Sequence, residues 1–171
     1  MILDQLTKLL VLNYMPHDEI IRLFNGDLIW LVFVQNPGIA FGIRIIPPIV
    51  LAVISFVAAT ALGIYIYRNP LLPYKYGLPF AFIMGGAIGN LIDRIIFGKV
   101  TDFISVDFPD FIMHRWPVFN VADSAVSIGA VCLVLATFFT RDQDREPDVS
   151  EQEVNLPQRH EDLKTKDQRL M

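Results

Sequence analysis

The sequence predicts an all-α integral membrane protein, and three observations lead to that prediction. Hydrophobic residues make up 53% of the 171 positions, and the mean hydropathy is +0.45; both values are too high for a soluble domain. Three apolar stretches reach or approach the roughly 20 residues that a helix needs to cross a bilayer. Few ionisable residues interrupt them, and burying each costs about 3 kcal/mol, so we expect those few to be functional.

The N-terminal segment Met1–Met15 is a fourth and shorter candidate span. Fifteen helical residues reach about 22 Å, against a hydrocarbon core of about 30 Å. Asp4 and Lys8 are four residues apart, so they share a helix face, where pairing lowers the cost of burying both charges. We therefore expect this segment to form the first of four transmembrane helices.

Residues 16–48 are mixed in character. His17–Asn25 has the pattern of a short amphipathic helical turn at the membrane interface. Asp27–Phe41 is rich in β-branched and aromatic residues and breaks at Asn36-Pro37-Gly38, which predicts strand, turn and strand. The Asn-Pro-Gly segment is better explained by an ordinary turn, although a loop that clamps an extended substrate could use the same backbone amides and the Asn36 side chain. Open sheet edges do not face lipid, so this piece should lie in water or against the helices.

Three long apolar stretches follow, and we predict that each is a transmembrane helix. They are Ile49–Tyr67, Leu78–Phe97 and Val118–Phe139. A short linker, Arg68–Gly77, joins the first two, and a longer loop, Gly98–Pro117, joins the last two. The two larger loops of the chain therefore emerge on the same membrane face.

Four spans place both termini on one side of the membrane. Lys and Arg near the spans are slightly more frequent on that side, which predicts cytoplasmic termini. Residues 141–171 are charged and poor in aromatics, so we expect a disordered tail. Residues 1–140 then form the membrane-embedded domain.

Two carboxylates are the strongest candidates for chemistry. Asp102 follows the third span and Asp123 opens the fourth, on the face of the large loops. Carboxylates brought together in a poorly solvated place share a proton near neutral pH, so one accepts a proton from water while the other polarises a carbonyl. Either alone fits a helix cap equally well. The two together, beside Asn90, Arg94 and Asn120, favour an acid–base site.

A polar stripe on the third span should point into the helix bundle. Asn90 and Arg94 are four residues apart, and Gly86 continues their face one turn earlier. Glycines in such a span permit close approach of another helix, which is a structural role. Asp93 is turned about 100° away from Arg94 on the helix, and we expect it to pair with Arg94 or Lys99.

Other chemistries have little support in the sequence. The three histidines are scattered without metal-ligand spacing, so we predict neither a metal nor another cofactor. Ser124 and Ser127 lack a convincing base. Residues 1–140 hold 8 Lys and Arg against 9 Asp and Glu, so no nucleic-acid partner is expected. The single cysteine, Cys132, excludes an internal disulfide.

Five short motifs, taken together and in this order, resemble those of the lipoprotein signal peptidases, the bacterial signal peptidase II family of membrane aspartyl peptidases. The motifs are Asp4-Gln5-x-x-Lys8, Asn36-x-Gly38-x-Ala40-Phe41-Gly42, Gly85-Gly86-Ala87-x-Gly89-Asn90-x-x-Asp93-Arg94, Val100-x-Asp102-Phe103 and Phe119-Asn120-x-Ala122-Asp123. They cover about residues 1–130. Each alone is a weak signal, whereas five in order are specific.

The resemblance implies a function. Such enzymes remove the signal peptide from bacterial prolipoproteins just before a cysteine that already carries diacylglycerol. The catalytic pair would be Asp102 and Asp123. Seven further residues would support the site or contact the substrate: Asp4, Lys8, Asn36, Gly86, Asn90, Arg94 and Asn120.

The resemblance also implies an architecture and partners. The fold would be four transmembrane helices with a small extracytoplasmic β-sheet and an interfacial helix. The protein would lie in the bacterial inner membrane with its site towards the extracytoplasmic face. We expect lipid-modified prolipoproteins and membrane lipids as its partners, and a monomer as its state.

Two alternatives stay open at the level of sequence. Only three residues precede Asp4, fewer than the resemblance implies, so we expect either a late-assigned start or a shortened first span. The rival functional class is a non-enzymatic membrane protein, such as a lipoprotein-binding chaperone or a transporter subunit with a proton relay. The chain has no internal repeat of the transporter kind, which disfavours the second.

Overall fold

The computed structural model describes residues 1–24, 26–38, 46–108 and 115–141. Its helices are α1 (Ile2–Tyr14), α2 (Pro48–Arg68), α3 (Tyr74–Phe97) and α4 (Val121–Arg141), and its strands are β1 (Ile21–Arg22), β2 (Ile29–Asn36) and β3 (Val100–Val106). Residues 1–134 form one compact unit. The second unit, 135–171, is described only at the end of α4, so the predicted tail lies outside the described residues.

Three helices are long and apolar enough to cross a membrane, which confirms the three predicted long spans. They are α2, α3 and the Val121–Phe139 part of α4. The start of α4 lies three residues after the predicted one, because Asn120 caps the helix through its side chain. The first predicted span is also helical, as α1, although its 13 residues are short for a bilayer crossing.

The helix ends are set by local chemistry. α2 begins with a proline in its first turn, where a missing N–H costs no hydrogen bond. α3 ends at Gly98, whose φ of 66° lies in the left-handed region that suits glycine, and whose N–H donates to the carbonyl of Arg94. The chain then turns back at once into β3.

The three strands form one antiparallel sheet in the order β1-β2-β3. The predicted strand before the Asn-Pro-Gly turn is confirmed as β2, and the strand predicted after it lies outside the described residues. The helical turn predicted over His17–Asn25 is wrong at Ile21–Arg22, which is β1. Pairing with β2 accounts for the difference, because Arg22 lies opposite Trp30 and stacks over its indole ring at 5.1 Å.

A bulge in β2 determines which residue faces Asp102. Leu31 pairs with Ile104, but Val34 pairs with Asp102, so β2 contains one extra residue between these pairs. Side chains of paired residues share a face of the sheet, and the face alternates with every residue. Asn36, two residues beyond Val34, therefore shares the face of Asp102.

The sheet packs against α1 through a small apolar core. Val11 and Met15 of α1 and Phe103 of β3 are buried together. Most of the completely buried large side chains elsewhere are polar: Lys8, Asn120, Thr101, Asp4 and Asp93. Burying polar groups is unfavourable unless they are hydrogen-bonded. This concentration of them inside a membrane protein marks the functional region.

Candidate active site

The two predicted carboxylates come from different elements and lie beside one cavity. Asp102 is the third residue of β3, and Asp123 is the third residue of α4. A cavity of about 550 Å³ is lined by both, together with Asn36 and the apolar segment 116–119. Ser124, Ser127 and Ile128 of α4 complete its wall. The cavity thus exposes a pair of acids to a largely apolar chamber.

Asn120 connects the two carboxylates. Its side-chain nitrogen donates to Oδ1 of Asp102 at 2.7 Å. Its side-chain oxygen accepts the N–H of Asp123 at 2.9 Å, and its own N–H donates to Oδ2 of Asp123 at 3.2 Å. The last two bonds form the reciprocal capping arrangement at a helix N-terminus. Asp123 therefore does cap its helix, and the same cap fixes it beside Asp102.

The position of Asn120 follows from the chain just before α4. Phe119 forms an antiparallel β-bridge with Ile104 of β3. The carbonyl of Phe119 accepts the N–H of Ile104 at 2.8 Å, and the N–H of Phe119 donates to the carbonyl of Ile104 at 3.0 Å. Phe119 thus extends the sheet beyond β3 for one residue. The next residue, Asn120, is completely buried between β3 and the start of α4.

Asn36 supplies the second hydrogen bond to Asp102. Its side-chain nitrogen donates to Oδ2 of Asp102 at 3.0 Å, and its side-chain oxygen accepts the N–H of Gly38 at 2.9 Å. Asn36 therefore makes an Asx-type turn, as the turn interpretation predicts, and it also contacts Asp102. The clamping of an extended substrate by this segment stays a prediction. The motif residues 40–42 lie outside the described residues.

Asn90 of α3 reaches the other carboxylate. Its side-chain nitrogen donates to Oδ1 of Asp123 at 2.7 Å. Its side-chain oxygen accepts from Nζ of Lys8 at 2.9 Å and from the side-chain nitrogen of Asn120 at 3.1 Å. The predicted polar stripe of α3 thus does point into the bundle.

Lys8 lies in a buried cluster with two carboxylates. Its Nζ is 3.0 Å from Oδ2 of Asp4, which confirms the predicted pair within α1, and 3.2 Å from Oδ2 of Asp93. Asp4 also accepts the N–H of Ala122, and Asp93 accepts the N–H of Thr101. Each of these backbone groups belongs to the residue just before a candidate catalytic aspartate. The cluster therefore fixes the backbone on both sides of the site.

The pairing expected for Asp93 is wrong, and its contact with α1 was not predicted. Asp93 pairs with Lys8, 85 positions earlier in the chain, rather than with Arg94 or Lys99. It also accepts a hydrogen bond from the side chain of Gln5. The spacing of three residues from Asn90 was a usable signal, because residues three apart share a helix face.

Arg94 and Gly86 complete the set of predicted residues. The Arg94 guanidinium is half-buried and donates long hydrogen bonds to the carbonyls of Asn90, at 3.4 Å, and Gly38, at 3.5 Å. Gly86 packs directly on α4, since a Cβ at this position would overlap the carbonyl oxygen of Ala122. Small residues are what such a close helix contact requires. All nine predicted residues therefore belong to one connected region.

Burial dominates the electrostatics of Asp102, whose side chain lies outside the membrane-spanning helices. Loss of hydration raises the pKa of Asp102 to about 6, and the neighbouring charge of Asp123 adds to the rise. The hydrogen bonds from Asn36 and Asn120 and the positive charge of Lys8 oppose it. At pH 7 Asp102 is therefore mainly ionised, yet it retains substantial proton affinity.

The arrangement favours acid–base chemistry over metal or serine chemistry. Within the described ranges, no three His, Cys, Asp or Glu side chains come together as a metal site. The cation between Asp4 and Asp93 is the Lys8 ammonium. The hydroxyl of Ser124 donates to the carbonyl of Asn120, as an early residue of a helix does.

Comparisons with known proteins identify the family. The family model for signal peptidase (SPase) II, Peptidase_A8, matches residues 1–139. A lipoprotein signal peptidase of Chlorobium phaeobacteroides is 38% identical over 139 residues, covering 78% of this chain and 82% of that protein. One from Halothermothrix orenii is 44% identical over 137 residues, covering 78% and 86%.

A solved structure agrees with the sequence relatives. A bacterial membrane enzyme, determined by the in meso method at 2.3 Å resolution, superposes with a TM-score of 0.75 at 25% sequence identity. The match covers 86% of this chain and 87% of that one. With the apolar helices described above, these findings establish a membrane protease fold, and the chain belongs to the signal peptidase II family.

Proposed function

We propose that the protein is an aspartic-type endopeptidase that removes signal peptides from prolipoproteins. The expected substrates carry diacylglycerol on a cysteine, and the scissile bond is the one just before that cysteine. The observation that carries the proposal is the joint presentation of Asp102 and Asp123 on one largely apolar cavity, connected through Asn120. The names of the relatives, which are lipoprotein signal peptidases, support the choice of substrate.

The pKa of Asp102 suggests how the two acids divide their roles. Both oxygens of each aspartate accept N–H groups, so the hydrogen bonds do not distinguish the two, but the pKa of about 6 leaves Asp102 mainly ionised at pH 7. We assign it the role of general base that takes a proton from the attacking water. Asp123 then supplies the proton that polarises the scissile carbonyl.

The reaction needs no covalent enzyme intermediate. Hydroxide formed at Asp102 adds to the carbonyl carbon, while the carbonyl oxygen is protonated from Asp123. The C–N bond then breaks as the leaving amine of the cysteine takes the proton held by Asp102, and Asp123 recovers its own proton from the intermediate's hydroxyl. The products are a signal peptide with a new carboxyl end and a lipoprotein with a free amino terminus.

The buried ion cluster supports a fourth membrane helix. The Asp4 and Lys8 side chains pack against α3 rather than towards lipid, while Leu3, Leu6 and Leu10 on the other faces of α1 are exposed. We propose that α1 inserts with α2, α3 and α4. Both termini would then be cytoplasmic, and the sheet and the cavity would lie towards the extracytoplasmic face of the bacterial inner membrane.

The proposed partners follow from this placement. A lipid-modified cysteine reaches an extracytoplasmic cavity laterally from the bilayer, so membrane lipids and prolipoproteins are the expected contacts. We propose a monomer, since both acids come from one chain. Residues 1–140 would carry the peptidase, and residues 141–171 would contribute no catalytic residue.

The test is cleavage of a diacylglyceryl-modified prolipoprotein by the purified full chain in detergent or lipid, read as a gel shift. Asp102→Asn and Asp123→Asn should each lower the rate by about 10³-fold or more, because each removes one proton-transferring group. Asp27→Asn is the matched control. That carboxylate is exposed in the β1–β2 hairpin and pairs only with exposed Arg22 among the described contacts.

The outcomes separate the proposal from its rival. Cleavage by the wild type and by Asp27→Asn, but by neither site variant, supports an aspartic mechanism. Near-normal cleavage by both site variants, with unchanged elution and Tm, excludes it. Substrate binding by the wild type without any product, under conditions where another signal peptidase II cleaves, favours a binding protein instead.

A further inference from the structure

Lys8 is buried and charged, it does not line the cavity, and the proposed reaction does not use it. It is 2% exposed, and its Nζ contacts Asp4, Asp93 and the side-chain oxygen of Asn90. A lysine ammonium has three donors and no acceptor. The Asn90 atom that faces Lys8 must therefore be the oxygen, and its NH₂ group must face the opposite way, towards Asp123.

The same constraint passes to the next amide. The oxygen of Asn90 also accepts from the side-chain nitrogen of Asn120, so Asn120 must direct its own NH₂ group towards Asn90 and Asp102. The oxygen of Asn120 then faces the N–H of Asp123. Every contact in this series of hydrogen bonds, from Lys8 to the two aspartates, pairs one donor with one acceptor.

We infer that Lys8 is a positioning residue, which orients the Asn90 and Asn120 amides so that each aspartate of the pair receives an N–H donor. A neutral side chain at position 8 would release this constraint. Asn90 would then be able to rotate its oxygen towards Asp123, and Asn120 would lose the acceptor that holds its NH₂ group. This inference rests on the proposed aspartic mechanism, and it assigns Lys8 an effect on chemistry beyond packing.

The effect on pH dependence has a definite sign. Hydrogen bonds donated to a carboxylate favour its ionised form, so their loss increases its proton affinity. The base then becomes protonated at a higher pH, and the acid limb of the pH–activity profile moves to higher pH. The pKa of about 6 for Asp102 places the wild-type limb near pH 6.

Among the residues that the structure describes, the charged groups around the aspartate pair come from two elements. They are Asp4 and Lys8 of α1 and Asp93 and Arg94 of α3. From β2 the pair meets Asn36, which does not titrate. The loss of Lys8 alone would leave Asp4 and Asp93 buried without their cation, which threatens folding. The variant Lys8→Met with Asp93→Asn removes one positive and one negative charge, so the net charge of the cluster is unchanged.

The experiment measures kcat and KM for three full-length proteins: the wild type, the double variant and Asp93→Asn alone, which retains Lys8. The pH range is roughly 4.5 to 8.5, which covers the titration of a carboxyl group whose pKa is raised. The double variant should raise the acid limb by about one pH unit and lower kcat by about tenfold or more, with KM within about twofold. Asp93→Asn should show no upward shift, because removal of a negative charge favours ionisation of its neighbours.

The control against misfolding is a second variant. Lys8→Gln with Asp93→Asn leaves the net charge of the cluster unchanged and retains an N–H group at position 8, and it should move the limb in the same direction by about half as much. The inference is overturned if these variants have a normal Tm and the acid limb of their activity profile stays at the pH of the wild type, even where kcat has fallen. That result leaves the proposed function intact, because the Asp102→Asn and Asp123→Asn assays test it separately.

Discussion

The helices α2 and α3 are both apolar enough to cross a membrane, but they differ in what they bury. α2 buries Leu51 and Ala52 alone of its 21 residues, and the rest of its surface is mostly exposed and apolar. α3 buries six residues, among them Gly86, Asn90 and Asp93. In a membrane, lipid is as apolar as leucine, so an apolar helix face gains little by being buried in protein. Buried polar residues therefore locate the function better than hydropathy does.

The largest expected difference between the two helices concerns their glycines. Gly86→Ala places a Cβ on the carbonyl oxygen of Ala122 and 2.7 Å from Cγ2 of Val126, so α3 and α4 must move apart. We expect a loss of about 2 kcal/mol of stability and a fall in cleavage rate of at least about tenfold. Both are measurable from Tm in detergent and from the gel-shift assay.

Gly63→Ala in α2 is the matched control. A Cβ there lies 3.8 Å from Sδ of Met84, which is ordinary contact, and alanine favours a helix by about 1 kcal/mol over glycine. Its Tm should be unchanged or higher, and its cleavage rate should be that of the wild type. Equal losses from the two substitutions would contradict the close α3–α4 contact.

A smaller difference is expected for the arginines in the last turns of the two helices. Arg94 is half-buried near the aspartates and donates to the carbonyl of Gly38, whereas Arg68 is exposed. Arg94→Gln should lower the cleavage rate by about tenfold, because it removes a positive charge near the aspartates. Such a charge changes the pKa of a neighbouring carboxyl by about one unit. Arg68→Gln should leave the cleavage rate unchanged. The comparison is read from initial rates at pH 7, and a larger loss in Arg68→Gln would reverse the assignment.

The smallest effect is expected on the exposed face of α2. Val53 is 55% exposed, so Val53→Ala removes little buried contact. Stability should change by no more than about 0.5 kcal/mol, and cleavage should be normal. The measurement is Tm together with the rate in lipid. A loss comparable to that of Gly86→Ala would mean that α2 contributes to the site after all.

The sequence predicted those features that local composition determines. The long apolar runs locate α2, α3 and α4 within a few residues, and the β-branched run locates β2. It also predicted that Asp102 and Asp123 come together, which agrees with the one cavity that both line, and that Asp4 pairs with Lys8.

The features that the sequence did not predict depend on contacts between distant parts of the chain. β3 was expected to be loop, because its strand character comes from pairing with β2, about 70 positions earlier. The two residues of β1 have an amphipathic pattern that also fits a helix, and pairing with β2 decides between them. Asp93 has Arg94 beside it on α3 and Lys99 just after the helix, so the distant Lys8 could not be recognised as its partner.

The single extra residue in β2 makes the pairing register of that strand more important than its composition. If β2 kept all its residues but paired regularly from Leu31 onwards, without the bulge, the alternation of faces would present Gln35 on the face of Asp102 and turn Asn36 away. Every side chain of the strand would then be retained, and the donor would still be lost. In related sequences, we therefore expect substitutions within this strand to be common, and insertions or deletions to fall in the hairpin loop before it, where the count of residues does not affect the site.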